Sequence, residues 1–290
     1  MYLLGVDGGG SGCRVALADA TGRVIATATG GMANIATDRD AALRNILAGA
    51  TTAIDAGGVP VPPDRTVAAL GLAGANVVRH AEWVAARLPF ARSTVVSDAR
   101  IALAGAHGGA DGIVAIVGTG SAFAAQRNGA VTTAGGWGFA LGDEAGGASL
   151  GRAAMRMALH AVDGLAPMTP LLGSILEAEG GPETLAAQSM QARPDAFARH
   201  ARAVVAAASD GDPAADAILS EAADYVARAI DRLLEDGPLP IAFHGGLADA
   251  YVRRLAPRFG ALIRPPRGTA LDGALTLALA LLEADAENRT

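Results

Sequence analysis

The chain has 290 residues, 51% of them hydrophobic and only 4% aromatic, with one cysteine and a formal net charge of −6. That length can bury two modest domains around Ala, Val, Leu and Ile, and an acidic balance without a basic block argues against nucleic acid or an anionic membrane as partner. No window reaches the ~18 uninterrupted apolar residues of a membrane span, and no signal peptide precedes the first strand. One thiol can build neither an internal disulfide nor a thiolate metal cluster, so a soluble cytoplasmic protein is expected. All 23 basic residues are arginine. Chemistry that needs a lysine, such as a Walker phosphate loop, a kinase ion pair or a Schiff base, is excluded.

The first predicted strand, residues 3–7, ends in Asp7 and runs into Gly8-Gly9-Gly10-Ser11-Gly12. From Cys13 the pattern alternates with a period of two, so a strand follows the loop, where a Rossmann or Walker loop would open a helix. A turn at 19–22 leads to a third strand near 24–28, and a loop carries Ala33-Asn34-Ile35. A helix is predicted over 38–56, a buried parallel strand over 67–73, a helix over 82–88 and a short strand over 94–97 ending at Asp98. A helix over 99–106 completes a mixed α/β layer. The pattern then restarts. Residues 113–117 form an apolar strand that meets Gly118-Thr119-Gly120-Ser121, followed by strands over 122–126 and 130–133. The second half reads as helical over 143–162, 170–179, 182–190, 195–208 and 213–234. A strand over 239–244 ends at Gly245-Gly246, a helix spans 247–255, a short strand covers 262–263 and a last helix covers 268–282. No linker or low-complexity segment separates the halves, which points to two lobes sharing a cleft.

The chemistry is concentrated in the two glycine loops. Bare backbone N–H groups at Gly8, Gly9, Gly10 and Gly12, with φ free to turn positive, suit phosphate oxygens, and Asp7 suits a Mg²⁺ held through its waters. The alternative is a glycine turn that only saves space. Gly118 to Ser121 stands at the matching position of the second hairpin and reads as the other half of a clamp on a phosphate chain. His244 is read as a packed histidine and Cys13 as inert core.

On these motifs the sequence resembles the BadF/BadG/BcrA/BcrD ATPase family, within the actin and hexokinase superfamily, and its branch of glucosamine and N-acetylglucosamine kinases. The resemblance spans essentially the whole chain. It rests on residues 7–11, 33–35, 96–99, 118–121, 135–146, 244–246 and 272–274, of which the Gly-Trp-Gly…Gly-Asp-Glu string is the most specific. It implies a two-lobed actin-like (ribonuclease H-like) α/β ATPase fold with a central cleft. The N-terminal lobe would span 1–107, with a C-terminal helix near 271–285 packing back on it, and the C-terminal lobe 108–270. ATP and Mg²⁺ are the implied cofactors, with Gly8, Gly9, Gly10, Ser11, Gly118, Thr119 and Gly120 on the phosphates and Gly245 and Gly246 on the adenosine. Asp98 is implied as the general base, the alternative being a helix N-cap. Asn34, Asp98, Ser121, Gly136, Trp137 and Asp143 are implied as sugar contacts; the alternatives are a core anchor for Trp137, a helix cap for Asp143 and a plain turn for Asn34. The activator ATPases of this family carry an iron–sulfur cluster between two chains, which one Cys per chain cannot ligate, so no cluster is expected. Ala122 stands where many N-acetylglucosamine kinases have Asn, which weakens the case for an N-acetyl substrate and leaves free glucosamine or another hexose derivative open. The expected activity is ATP-dependent phosphorylation of an amino sugar at the 6-hydroxyl by a homodimer. The rivals are an N-acetylglucosamine kinase, an ATPase without a sugar substrate and a non-catalytic sugar sensor.

Overall fold

A computed structural model describes residues 1–10 and 12–287, so Ser11, one of the expected phosphate-loop residues, lies outside the described residues. In chain order the elements are β1 (Tyr2–Gly8), β2 (Cys13–Asp19), β3 (Val24–Gly30), α1 (Arg39–Gly57), β4 (Thr66–Leu72), α2 (Val78–Ala85), β5 (Arg92–Ser97) and α3 (Asp98–His107). There follow β6 (Gly112–Val117), β7 (Ser121–Arg127), β8 (Ala130–Gly135), α4 (Gly147–Val162), α5 (Pro170–Ala178), α6 (Pro182–Ser189), α7 (Pro194–Ala198) and α8 (Ala201–Ser209). The last are α9 (Pro213–Leu234), β9 (Ile241–His244), α10 (Ala248–Phe259) and α11 (Ala270–Glu287). Among the described residues no helix is long and apolar enough to cross a membrane.

The chain divides into two compact units. The first is Met1–Gly112 with Gln126–Val131 and Pro265–Thr290, and the second is Ile113–Ala125 with Thr132–Arg264. The first unit holds a five-stranded sheet in the order β3-β2-β1-β4-β5, with β1 antiparallel to β2 and parallel to β4. Successive side chains leave a strand on opposite faces, so the sheet feeds two cores. Leu4, Val6, Val15, Leu17 and Leu70 pack with Ile46 and Ala50 of α1 on one face. Leu3, Ala16, Val67 and Ala69 pack under Leu275 and Ala278 of α11 on the other. α3 and α11 cross at glycines. A side chain at Gly105 would meet the Thr269 carbonyl at 1.9 Å, and one at Gly273 would meet the Ile101 carbonyl at 1.8 Å.

The second unit builds on a sheet of order β8-β7-β6-β9, in which β6 and β9 are parallel. Its core is Ala- and Leu-rich, with Phe123, Tyr251, Ile218, Val226 and Ile230 among the buried residues. Asp212, buried at the start of α9, accepts from Ala214 N–H at 2.9 Å, Ala215 N–H at 3.1 Å and Leu171 N–H of α5 at 3.0 Å. Burial raises its pKa, but these donors outweigh burial and hold the carboxyl below its ordinary value. A carboxyl depressed in the folded state adds stability above its unfolded pKa and loses it as pH falls through the folded one. Asp212→Ala should therefore cost about 2–3 kcal/mol at neutral pH and flatten the loss of stability below about pH 4, as read by urea melts across pH.

Four predicted elements are corrected. α2 spans Val78–Ala85 where 82–88 was expected, because the chain turns helical directly after the β4 loop, with His80 N–H bonded to the Val77 carbonyl at 2.8 Å. The helix expected over 143–162 begins only at Gly147. The helix expected over 195–208 is broken into α7 and α8 at Arg199-His200. There the buried Glu179 carboxylate takes hydrogen bonds from Arg199 at 2.5 Å and His200 at 2.6 Å, and Gly151 of α4 passes under the Phe197 carbonyl. Residues 262–263 contribute an isolated bridge, Ile241 to Ile263, and no strand.

Candidate active site

The first unit gathers one set of predicted residues at a single sheet edge. Gly8 aligns with Leu72, and Leu72 with Ser97, so β1, β4 and β5 end on one line. The carboxyl ends of parallel strands are where open α/β sheets bind ligands. Asp7 lies one residue before that line and Asp98 one beyond it, about 12 Å apart from two strand spacings and two residues of rise. Asp98 opens α3, yet the cap is Ser97, whose hydroxyl accepts from Arg100 N–H at 3.3 Å; Asp98 Oδ1 accepts from Ala99 N–H at 2.9 Å. The N-cap alternative for Asp98 is thereby set aside, and its carboxylate sits where the helix dipole favours negative charge.

The first glycine loop closes through Gly9 N–H to the Gly12 carbonyl at 2.9 Å. Gly8, Gly9 and Gly10 do not adopt positive φ, so the expected left-handed wrap is corrected. Space is what these glycines supply. A side chain at Gly8 would strike Leu72 and Ala33 at 2.7 and 2.8 Å, whereas one at Gly10 would meet nothing within 4 Å among the described residues. The Asn34 loop is stitched to this edge by Ala33 N–H to Gly9 O at 2.9 Å and Ile35 N–H to Ala73 O at 3.0 Å. Asn34 Oδ1 accepts from Ala36 N–H at 2.9 Å, an Asx turn that presents the residue at the loop tip.

Sequence reasoning missed Arg14. It stands opposite Asp7 across the β1–β2 register, and the two form an ion pair in which Arg14 is 62% and Asp7 13% exposed. The signal was available, because a tight hairpin with period-two alternation puts the two residues on one face. As a test for a divalent cation, the donor set here is one carboxylate, and no group of three or more His, Cys, Asp or Glu gathers among the described residues. That does not fit an all-protein cage. It does fit a hard ion that keeps its waters and is held mainly by nucleotide phosphates.

The second unit gathers another set. Gly118 N–H bonds to Gly120 O at 2.9 Å, and the start of α4 clasps this turn through Gly147 N–H to Gly118 O at 2.8 Å and Ala148 N–H to Thr119 O at 3.0 Å. Ser121 is buried, and its hydroxyl accepts from Ala145 N–H at 3.3 Å, which makes it a support for the loop. Gly245 lies against the same turn, since a side chain there would meet Val117 O at 2.3 Å and Gly118 N at 3.1 Å. Positions 118 and 246, by contrast, have nothing within 4 Å of an added side-chain carbon among the described residues.

The 135–143 loop turns at Gly135, Gly136, Gly138 and Asp143, all at positive φ. A helical turn, Gly142 N–H to Gly138 O at 2.8 Å, carries Trp137 and Leu141 four residues apart, 78% and 89% exposed. Trp137 is no core anchor. The loop is held instead by Phe139, whose ring lies 5.2 Å from that of Phe197 and under the Arg152 guanidinium. Asp143 is not a helix residue, as noted, and its φ is +61°. Burial pushes its carboxyl pKa up, against hydrogen bonds that lower it, and the Glu144 charge adds to the rise. Behind the loop, burial and the hydrogen-bonded Glu144 carboxylate push the Tyr225 hydroxyl up to about 12.

For Asp143 the sign is opposite to that of Asp212. A carboxyl raised in the folded state favours folding below its unfolded pKa, and that stability is lost as pH rises through the folded pKa. Asn also tolerates positive φ better than Asp. Asp143→Asn should therefore raise the melting temperature by about 1–3 °C at neutral pH, with the gain vanishing near pH 4, as followed by calorimetry.

The chain is 31% identical to the glucosamine kinase GspK of Vibrio cholerae over 96% of its own length and 95% of the relative's. A crystal structure from Chromobacterium violaceum, provisionally named an N-acetylglucosamine kinase, superposes with a TM-score of 0.87 at 37% identity, covering 96% of this chain and 98% of that one. A ROK family glucokinase from Streptomyces griseus, solved with glucose and AMPPNP, shares the fold at a TM-score of 0.61 and 17% identity, over 97% of this chain and 99% of its own. The expected two-lobed actin-like α/β fold is thus the observed one. The BadF/BadG/BcrA/BcrD ATPase family matches residues 4–261, and the chain belongs to that family.

Proposed function

We propose that the protein is an ATP-dependent kinase that phosphorylates an amino sugar, glucosamine first, at its 6-hydroxyl. The observation that carries this reading is the near-full-length similarity to a named glucosamine kinase, together with Asp7 and Asp98 at neighbouring ends of one parallel ladder. The two glycine loops, Gly8 to Ser11 and Gly118 to Gly120, cradle the phosphate oxygens in a chain that has no lysine to do so; Gly9 N–H and Gly118 N–H close their own turns, which leaves the donating to the other backbone N–H groups, those of Gly10, Thr119 and Gly120 among them. Arg14, paired with Asp7, places a cation beside the first loop. Gly246 leaves room for the adenosine, and Gly245 lets the chain pack against the Gly118 turn beside it. Asp7 would hold Mg²⁺ through water, and the ion's contribution when bound is to neutralise charge on the phosphates.

In the transfer step the sugar 6-oxygen bonds to the γ-phosphorus as the bond from that phosphorus to the β–γ bridging oxygen breaks. The hydroxyl proton passes to the Asp98 carboxylate, and ADP leaves. A carboxylate suffices because phosphoryl transfer depends mainly on positioning and charge stabilisation. Trp137 offers an apolar face to a pyranose, Asp143 accepts from a sugar hydroxyl or amine, and Asn34 and the Gly136 backbone complete the contacts. The deciding experiment is ADP release with glucosamine, N-acetylglucosamine, N-acetylmuramic acid and glucose side by side. Glucosamine should give the highest kcat/KM. Release independent of any sugar would sink the kinase reading. N-acetylglucosamine is the second candidate, because the 37%-identical structure carries that name.

A further inference from the structure

Among the described residues, Asn128 and Asp143 are the two non-glycine positions at positive φ. Asn128 occupies a hairpin turn with Gly129, where that conformation is ordinary. Asp143 has no such reason, and backbone strain persists where the surroundings over-determine it, most often at functional sites. The contacts of Asp143 include a backbone hydrogen bond from Ser121 to the carboxyl. Its carbonyl accepts from Gly146 N–H at 2.8 Å, and its Oδ1 accepts from Gly138 N–H at 3.3 Å. Its Oδ2 fills the space above Gly120, 2.3 Å from where a Cβ would stand, and the three atoms nearest that point all belong to Asp143. One carboxyl therefore touches the loop that carries Trp137 and the turn that holds Gly118 to Gly120.

We infer that Asp143 is a positioning residue that couples the two ligands: an acceptor hydrogen bond fixes its carboxyl, and the fixed carboxyl fixes the Gly120 backbone against the nucleotide phosphates. The inference rests on the kinase reading above. The carboxyl is suited to the task because it is partly buried beside Glu144. A donor arriving from the sugar adds to the backbone hydrogen bonds from Gly138 and Ser121 and further offsets the cost of burying the charge. Coupling of this kind is reciprocal, so nucleotide and sugar must tighten each other by the same factor.

Gly120→Ala isolates the contact. Position 120 is not at positive φ, so alanine fits the backbone, and the atoms nearest its methyl group are those of the Asp143 carboxyl. The experiment measures glucosamine affinity by calorimetry on the full chain, with and without AMPPNP, for wild type, G120A and D143N. In wild type AMPPNP should tighten glucosamine by about 5- to 150-fold, and in both variants by less than about twofold. G120A should also weaken glucosamine in the absence of nucleotide, although position 120 makes no contact with the sugar in this reading. In an Asp143→Gly background, G120A should have no further effect on glucosamine, which guards against general damage to the loop. Wild-type glucosamine affinity and coupling in G120A would overturn the inference. So would D143N that still phosphorylates glucosamine with coupling intact, a result that leaves the kinase reading standing. A wild type that binds and phosphorylates no amino sugar overturns both.

Discussion

Asp98→Asn should lower phosphoryl transfer by about 10²–10⁴-fold while nucleotide affinity stays nearly unchanged. The substitution keeps the shape of the side chain and an oxygen that can accept from Ala99 N–H, and it leaves Ser97 to cap α3 as before. What it removes is the ability to take the acceptor's proton, together with about 0.5 kcal/mol of helix-dipole stabilisation. A rapid-quench measurement of sugar phosphate formed per turnover separates this from a binding defect. A purely structural Asp98 would show a lower melting temperature with turnover intact, and that outcome would remove it from the mechanism. Loss of rate without loss of stability keeps it there.

Gly273→Ala should be among the most destabilising glycine-to-alanine changes at the described residues, at about 3 kcal/mol or more. The new carbon would lie 1.8 Å from the Ile101 carbonyl and 2.4 Å from Gly105 N, both backbone atoms that cannot rotate aside. α3 and α11 would have to separate, and α11 covers the face of the sheet formed by Leu3, Ala16, Val67 and Ala69. Gly173→Ala is the matched control. It lies in the middle of α5 with nothing within 4 Å of the added carbon among the described residues, so it should stabilise by about 0.5–1 kcal/mol. Urea melts followed by circular dichroism would rank the two. Equal, small effects would mean that the helix crossing relaxes more cheaply than its geometry implies.

Much of this architecture was legible in residue order. The two glycine hairpins follow from period-two alternation after each loop, and the buried strand over 67–73 from its unbroken apolar run. Asp98 was placed at a strand end by the short run before it. Harder to read were features decided by distant partners. Asp143 looked like the first residue of a helix because the apolar periodicity begins there, but contacts with Gly120 and Gly138 turn it to positive φ and delay α4 to Gly147. The 195–208 segment has good helix formers throughout, yet Glu179, twenty residues earlier in the chain, breaks it at Arg199-His200. Arg14 was visible as a polar position but became a site residue only when the strand register set it against Asp7. Residues 126–131 grouping with the first unit, and a first-unit limit at Gly112, likewise depend on contacts that no local pattern encodes.

The return of α11 to the first unit also bears on how the chain is made. Leu3, Val67 and Ala69 are synthesised early, but the helix that covers them comes from residues 270–287. At roughly 5–20 residues per second, that sheet face waits on the order of ten seconds or longer for its cover. The second unit is almost continuous in sequence, from Ile113 to Arg264, and has all its parts before α11 emerges. The half that is translated first is therefore the half that finishes folding last. In the interval its bare apolar face is a natural substrate for a chaperone.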